Sequence, residues 1–303
     1  MRKNEMTSMT HSPQRRTLLL AAATLPFALA TTARADATPS AASAQAMLAT
    51  LERTSGGRLG LAALNTANGM QIGYRADERF PFCSTFKMML ASAILARSTQ
   101  VAGLMQQRIH YTRGDLVSYS PVSSKHLADG MTIAELCRAA LQYSDNTSAN
   151  LLIKFLGGPS AVTSFARVIG DQEFRLDRWE TELNTAIPGD ARDTSTPAAT
   201  AHSLQVLVLG DVLPASQRDQ LQQWLRGNTT GAKRIAAALP AGWHSGDKTG
   251  TGAYGSTNDI AVLWPPARPP IVLAIYYTQK KEDADARDDV IAAAARIVVG
   301  VMG

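Results

Sequence analysis

Four short polar clusters carry the residue types that nucleophilic chemistry needs. Ser84 is followed three residues later by Lys87, at the head of an apolar run from Met88 to Ala96 with no Gly or Pro. The run has the length of a helix, and in a helix positions i and i+3 share a face. Ser84 and Lys87 should therefore point the same way at its first turn. A serine hydroxyl is a weak nucleophile until a neighbouring base takes its proton. A lysine that is partly desolvated and near the positive end of a helix dipole has its pKa lowered toward that task. Ser144-Asp145-Asn146 offers a hydroxyl and an amide, and Lys248-Thr249-Gly250 offers a cation and a hydroxyl for an anion. Glu180, Glu182 and Asn184 lie in a long polar segment, where a carboxylate can act as general base on a water. An isolated S-x-x-K is common, usually a capping serine and a solvated lysine, and a lone loop carboxylate is usually a solvated charge. The weight comes from the four clusters occurring in order.

The elements around them read as follows. Residues 40–53 have apolar positions at helical spacing and end at Gly56-Gly57. Arg58 to Thr66 and Met70 to Ala76 read as strands joined by an Asn68-Gly69 turn. Thr132 and Glu135 form a capping box for a helix from Ile133 to Gln142. Ser144-Asp145-Asn146 interrupts the helical pattern, which resumes from Ala149 to Leu156. Residues 175–196 carry no apolar period, and a loop this long in a compact domain is usually functional or disordered. Pro197 to Gly210 and Pro214 to Arg226 read as helices with Pro near their starts. Trp243 to Gly250, Asn258 to Trp264 and Ile271 to Thr278 read as strands, and a last helix runs from about Asp283 to Val299. Two strands at the start and three at the end imply one α/β domain made from residues 36–80 and 227–303. A mainly helical domain, residues 81–226, is inserted between them and carries Ser84 and the long loop.

The chain has 303 residues, a net charge of +5 and 45% apolar residues, enough for a substantial core. The basic balance does not point to nucleic acid. Five basic residues against Glu5 put +4 within residues 1–35, and the remaining 25 basic and 24 acidic residues leave only +1. Arg15-Arg16, an apolar stretch to about Ala30, and Ala33-Arg34-Ala35 before Asp36 read as a cleaved export signal of the twin-arginine kind. The stretch is too short for a membrane span. The mature chain is expected to be periplasmic or secreted, with no stable membrane association. Cys83 and Cys137 sit in apolar contexts and are expected as free buried thiols. His110, His126, His202 and His244 have no metal-binding spacing, so neither metal nor cofactor is implied.

The ordered set S-x-x-K, S-D-N and K-T-G resembles class A serine β-lactamases over residues 40–300. The resemblance implies an α/β fold with a five-stranded antiparallel sheet flanked by helices. It also implies hydrolysis of small-molecule β-lactams, penicillins and cephalosporins, by a monomer. A β-lactam is a strained cyclic amide beside a carboxylate. Its opening needs a nucleophile, an oxyanion hole, a proton for the ring nitrogen and an anchor for the carboxylate. Ser84 would attack, with Lys87 as base or relay, and Ser144 would pass a proton to the nitrogen. Asn146 would bind the side-chain carbonyl, and Lys248, Thr249 and Thr251 the carboxylate. The resemblance further implies an oxyanion hole from the N–H groups of Ser84 and Thr251. It makes Glu180 the deacylation base, with Asn184 as second ligand of its water and an Arg178–Asp193 pair closing the loop. Tyr119 falls at the family's aromatic gate, and Arg234 at one alternative position for an arginine behind the carboxylate.

This chain departs from the family pattern at three places. Thr181 follows Glu180 where many members have Pro, at a bond that is often cis. Cys83 has Gly252 at the position of its usual disulfide partner, which argues against strong carbapenem hydrolysis. Cys137 matches one end of another family disulfide, whose other end is Ala91 here. Two rival readings share the three motifs. A penicillin-binding D-alanyl-D-alanine peptidase lacks the glutamate loop, and an inert β-lactam sensor has no need of a deacylating base.

Overall fold

A computed structural model describes residues 40–303; the expected leader and its cleavage site lie outside them. Five strands form one antiparallel sheet: β1 (Arg58–Asn65), β2 (Gln71–Tyr74), β3 (His244–Gly252), β4 (Ser256–Trp264) and β5 (Ile271–Thr278). Their order is β2-β1-β5-β4-β3, so the two ends of the chain meet at β1 and β5, with Leu61 opposite Ile275. β5 reads as an unbroken apolar run because it is covered on both faces. Leu273, Ile275 and Tyr277 belong to one core, and Val272, Ala274 and Tyr276 to the other. On the first face lie α1 (Ala41–Ser55) and α8 (Asp288–Met302), burying Ala44, Leu48, Ile291 and Val298.

The second face carries the remaining helices: α2 (Lys87–Ser98), α3 (Ile133–Gln142), α4 (Asn146–Leu156), α5 (Pro159–Val168), α6 (Pro197–Leu204) and α7 (Ala215–Arg226). α2 is buried at every position from Lys87 to Leu95, the pattern of a helix in the middle of a core. The Thr132–Glu135 capping box forms as its sequence predicts.

Several boundaries differ from the sequence reading. α4 begins at Asn146, three residues early, because the Asp145 side chain accepts the Ser148 N–H and caps it. α6 stops at Leu204, and Gln205–Leu209 continue as a π-helical turn. α8 starts at Asp288 rather than near Asp283. Tyr254 N–H donates to Glu282 O and Gln279 Nε2 to Asp285 O, which holds that stretch as a loop against the sheet edge.

Gly60 of β1 decides how closely the strand Phe80–Pro81, which leads into the Ser84 turn, can approach the sheet. A Cβ at Gly60 would lie 2.3 Å from the Phe80 ring, itself fully buried and capped by the Arg58 guanidinium at 3.7 Å. Gly60→Ala should lower the unfolding free energy by about 1–3 kcal/mol through overpacking. Urea denaturation with an unchanged midpoint would show that the contact is slack.

Candidate active site

Ser84 sits in a 3-10 turn, Cys83–Phe86, and the α-helix proper begins only at Lys87. The shared face survives this change, since i and i+3 eclipse in a 3-10 turn. The sheet grips the turn from below. Asn258 Nδ2 of β4 donates to the carbonyls of Pro81 and Phe82 at 2.8 and 3.1 Å. A Cβ at Gly250 would come within 2.6 Å of Phe82 O, and one at Gly252 within 2.7 Å of Cys83 Sγ. Glycine at both places lets β3 close against the Ser84 turn. Cys83 and Gly252 are thus true neighbours without a bridge, and both cysteines are free and buried.

Lys87 is fully buried and is the hub of the site. Its Nζ reaches Ser84 Oγ at 3.0 Å, Asn146 Oδ1 at 2.6 Å, Ser144 O at 2.8 Å and Glu180 Oε1 at 2.9 Å. Ser84 Oγ donates to Glu180 Oε1 at 3.2 Å, so serine, lysine and glutamate form a closed triangle. Burial pushes the Lys87 ammonium below the usual lysine range, against the pull of Glu180 upward. Asn146 is oriented by donating its amide to Ser118 O, and its own N–H donates to Tyr119 O. Tyr119 is 61% exposed, at the rim.

The loop 175–196 delivers Glu180 to that triangle. Asn184 Nδ2 donates to Glu180 Oε2 at 2.6 Å. The Glu180–Thr181 peptide is cis. Arg178 Nε meets the buried Asp193 carboxylate, which also accepts the N–H groups of Asp177 and Arg178. Asn150 of α4, which the sequence reading passed over, holds the backbone of Glu180 from both sides. It donates to Glu180 O at 2.8 Å and accepts Glu180 N–H at 2.9 Å. Its one sequence signal was spacing, since it lies one helical turn after Asn146. Glu182 stays at the surface.

The opposite end of the cleft is cationic. Lys248 is fully buried, donating to Ser144 Oγ at 3.0 Å and to Thr249 O at 2.8 Å. Burial, then repulsion from Lys87, hold its ammonium well below the usual range. Arg234 binds Asp288 at 2.7 Å, the carbonyls of Gly250 and Asn258, and Thr251 Oγ1 at 2.7 Å. Most of its N–H groups are thus spent on the protein, and it stands behind Thr251 rather than alone in the cleft. Thr230, also unforeseen, shares a hydrogen bond with the Thr249 hydroxyl. The cleft between these ends holds about 390 Å³ and is lined by Ser84, Tyr119, Ser144, Asn146 and Asn184 on one side. Thr230, Arg234, Thr249, Gly250 and Thr251 line the other. Every expected site residue is therefore gathered here, with Lys87, Glu180 and Lys248 sealed behind the lining.

Residues 42–302 match the model of the beta-lactamase enzyme family. The chain belongs to that family. It is 54% identical over 290 residues to beta-lactamase OXY-1 of Klebsiella oxytoca, covering 96% of this chain and 99% of the relative. It is 58% identical over 254 residues to beta-lactamase CTX-M-25 of Escherichia coli, covering 84% and 87%. The crystal structure of a beta-lactamase from Desulfarculus baarsii superposes with a TM-score of 0.86 at 59% identity, over 87% of this chain and 98% of that one. The chain is a class A serine β-lactamase, which removes the peptidase and sensor alternatives. Its five-stranded α/β fold is the family's.

Beneath Lys248 this β-lactamase buries two carboxyls, Asp247 and Asp259. Asp259 Oδ1 has no hydrogen-bond partner among the described residues. Burial raises Asp247 to about 6 and Asp259 well above its ordinary value. A folded-state pKa above the unfolded value of 3.8 means that the native state binds the extra proton. That stability is present below about pH 4 and is lost as pH rises through about 6. Chemical denaturation across this range should show a decline on the order of 1–3 kcal/mol. In Asp259→Asn, which removes one of the two raised carboxyls, the decline should be smaller. An equal slope in both proteins would show that the pair does not carry it.

Proposed function

We propose that this β-lactamase hydrolyses penicillins and cephalosporins with Ser84 as nucleophile and Glu180 as the base in both half-reactions. The closed triangle Ser84–Lys87–Glu180 carries the assignment. Lys87 Nζ faces three groups that can only accept: Ser144 O, Asn146 Oδ1 and Glu180 Oε1. A neutral amine has two N–H donors and an ammonium three, so this surrounding holds the charged form, which has no lone pair to take a proton. Glu180 accepts directly from Ser84 Oγ. In acylation the Ser84 proton passes to Glu180 as Oγ bonds to the lactam carbonyl carbon. Lys87 stabilises the developing charge, and the ring C–N bond breaks. The departing nitrogen takes a proton from the Ser144 hydroxyl, which Lys248 and Lys87 flank at 3.0 and 3.4 Å. Lys87 restores the Ser144 proton, and Glu180 returns one to Lys87. In deacylation Glu180, held by Asn184 and Asn150, takes a proton from water as the water oxygen bonds to the ester carbon; the ester C–Oγ bond then breaks and Glu180 returns that proton to Ser84 Oγ.

The substrate carboxylate is read into the Lys248–Thr249–Thr251 end, with Arg234 supporting Thr251. The N–H groups of Ser84 and Thr251 would form the oxyanion hole, which the closure of β3 on the nucleophile turn supports. Tyr119 would cover the substrate from the rim. The leader sequence supports export by the twin-arginine route, leaving a periplasmic or secreted chain, and the family resemblance supports a monomer. No helix among the described residues is long and apolar enough to cross a membrane.

Mass spectrometry of the purified protein mixed with a penicillin tests the assignment. Wild type should show little adduct within minutes. Glu180→Gln should retain whatever acyl-enzyme it forms, with turnover reduced by about 10²–10⁴-fold. Free turnover by the variant would remove Glu180 from the mechanism. Asn150→Ala, which only loosens the Glu180 backbone, should slow deacylation by about 10²-fold. An unchanged deacylation rate would show that Asn150 does not position Glu180.

A further inference from the structure

A second cavity, of about 600 Å³, lies on the other side of the loop that carries Glu180. It is larger than the active cleft and of the size that holds a drug-sized molecule. Its outer wall is the segment 186–191, its floor Pro81 and the glycines Gly56 and Gly57 at the start of β1, and its far end Thr278–Lys280 at the end of β5. Ala186, Ile187, Pro188 and Ala191 make that wall apolar, and Ile187 is 47% exposed. The charges around it are unequal. Arg58 is paired with Glu78, Arg79 with Glu173 and Asp190 with Arg192, whereas Lys280 is in no ion pair among the described residues. An apolar wall with one uncompensated cation fits a molecule with an apolar body and a single negative charge.

The wall is also free to respond. Residues 186–190 make hydrogen bonds only within the loop among the described residues, from Asp190 N–H to Ile187 O and from Arg192 to the Asp190 carboxylate. The segment is tied down on either side, by Arg178 with Asp193 and by the pairing of Phe80–Pro81 with Thr194–Ser195. Two residues before Ala186 stands Asn184, whose amide holds Glu180 Oε2. We propose that this cavity binds a small amphiphilic monoanion, an aromatic or aliphatic body bearing one carboxylate or sulfonate, and that its occupancy slows deacylation. The second half rests on Glu180 being the deacylation base; the binding half does not.

Anilinonaphthalene sulfonate, an apolar monoanion whose fluorescence rises on burial, is the probe. It should bind the folded enzyme one to one. Lys280→Glu should weaken binding roughly tenfold, the loss expected for a charge-assisted contact. Ile187→Trp, which fills the cavity from its wall, should abolish it. Lys280 lies outside the catalytic site, so Lys280→Glu should retain full turnover without the probe. Binding should persist when Ser84 is held as the penicilloyl adduct of Glu180→Gln. Displacement by that adduct, or affinity unmoved by both variants, would place the probe elsewhere and overturn the site. Rapid-quench kinetics with the probe saturating should show deacylation slowed several-fold and acylation unchanged. Bound probe with an unaltered deacylation rate would overturn the coupling and leave Glu180's role untouched.

Discussion

A lysine and a glutamate with no solvent exposure, 2.9 Å apart, set the terms for everything around them. Taking two such charges out of water costs several kcal/mol per ion even after relaxation. Their mutual attraction offsets this only if the remaining donors and acceptors are also satisfied. Ser144 O and Asn146 Oδ1 take the other Lys87 protons, and Asn184 and Ser84 serve the Glu180 oxygens. Each partner in turn needs its own support. Asn146 is fixed through Ser118 O, and Glu180 through Asn150. The Arg178–Asp193 pair then explains itself: without a closed loop, Glu180 could leave and strand the lysine as an unpaired buried charge.

The same bookkeeping shows why the cleft wants an anion. Lys87 is neutralised by Glu180 and Arg234 is partly neutralised by Asp288, but Lys248 touches only a hydroxyl and a carbonyl. Burial raises both carboxyls beneath it, Asp247 and Asp259, which weakens them as counter-charges for Lys248. A carboxylate arriving at Thr249 and Thr251 gives Lys248 the counter-charge that its surroundings withhold. Anion binding is thereby linked to Ser144, because Lys248 also touches its Oγ.

The parts legible in the sequence are those encoded locally. Ser84 and Lys87 are three residues apart, so the spacing alone places them together, even though the turn proved to be 3-10. The strand pattern of β5 and the capping box at Thr132 are equally local. The asparagines were not legible. Asn150 acts on a backbone thirty positions away, and Asn258 on carbonyls at the far end of the chain. Apart from the helical spacing of Asn150 from Asn146, nothing near either residue announces that role. The start of α8 was hidden for the same reason, since Tyr254 in the turn between β3 and β4 and Gln279 just after β5 decide it.

Backbone conformation gives the last indication of what the fold is organised to do. Among the described residues, eight that are not glycine have positive φ, a region that L side chains enter at a cost of about 1–3 kcal/mol. Five of them belong to the site: Cys83 beside the nucleophile, Tyr119 at the rim, Ser144, and Ala186 and Asp193 in the Glu180 loop. Several of these are held by contacts already needed for chemistry. Ser144 is held by Lys87 on its carbonyl, Tyr119 by Asn146 N–H, Asp193 by Arg178. The buried charge and the strained backbone therefore stabilise one another. The lysine needs Ser144 O turned inward, and that turn exists only at a φ the lysine helps to hold. A substitution that removes either side should cost more than its own contact, because it releases the strain that the other was holding in place.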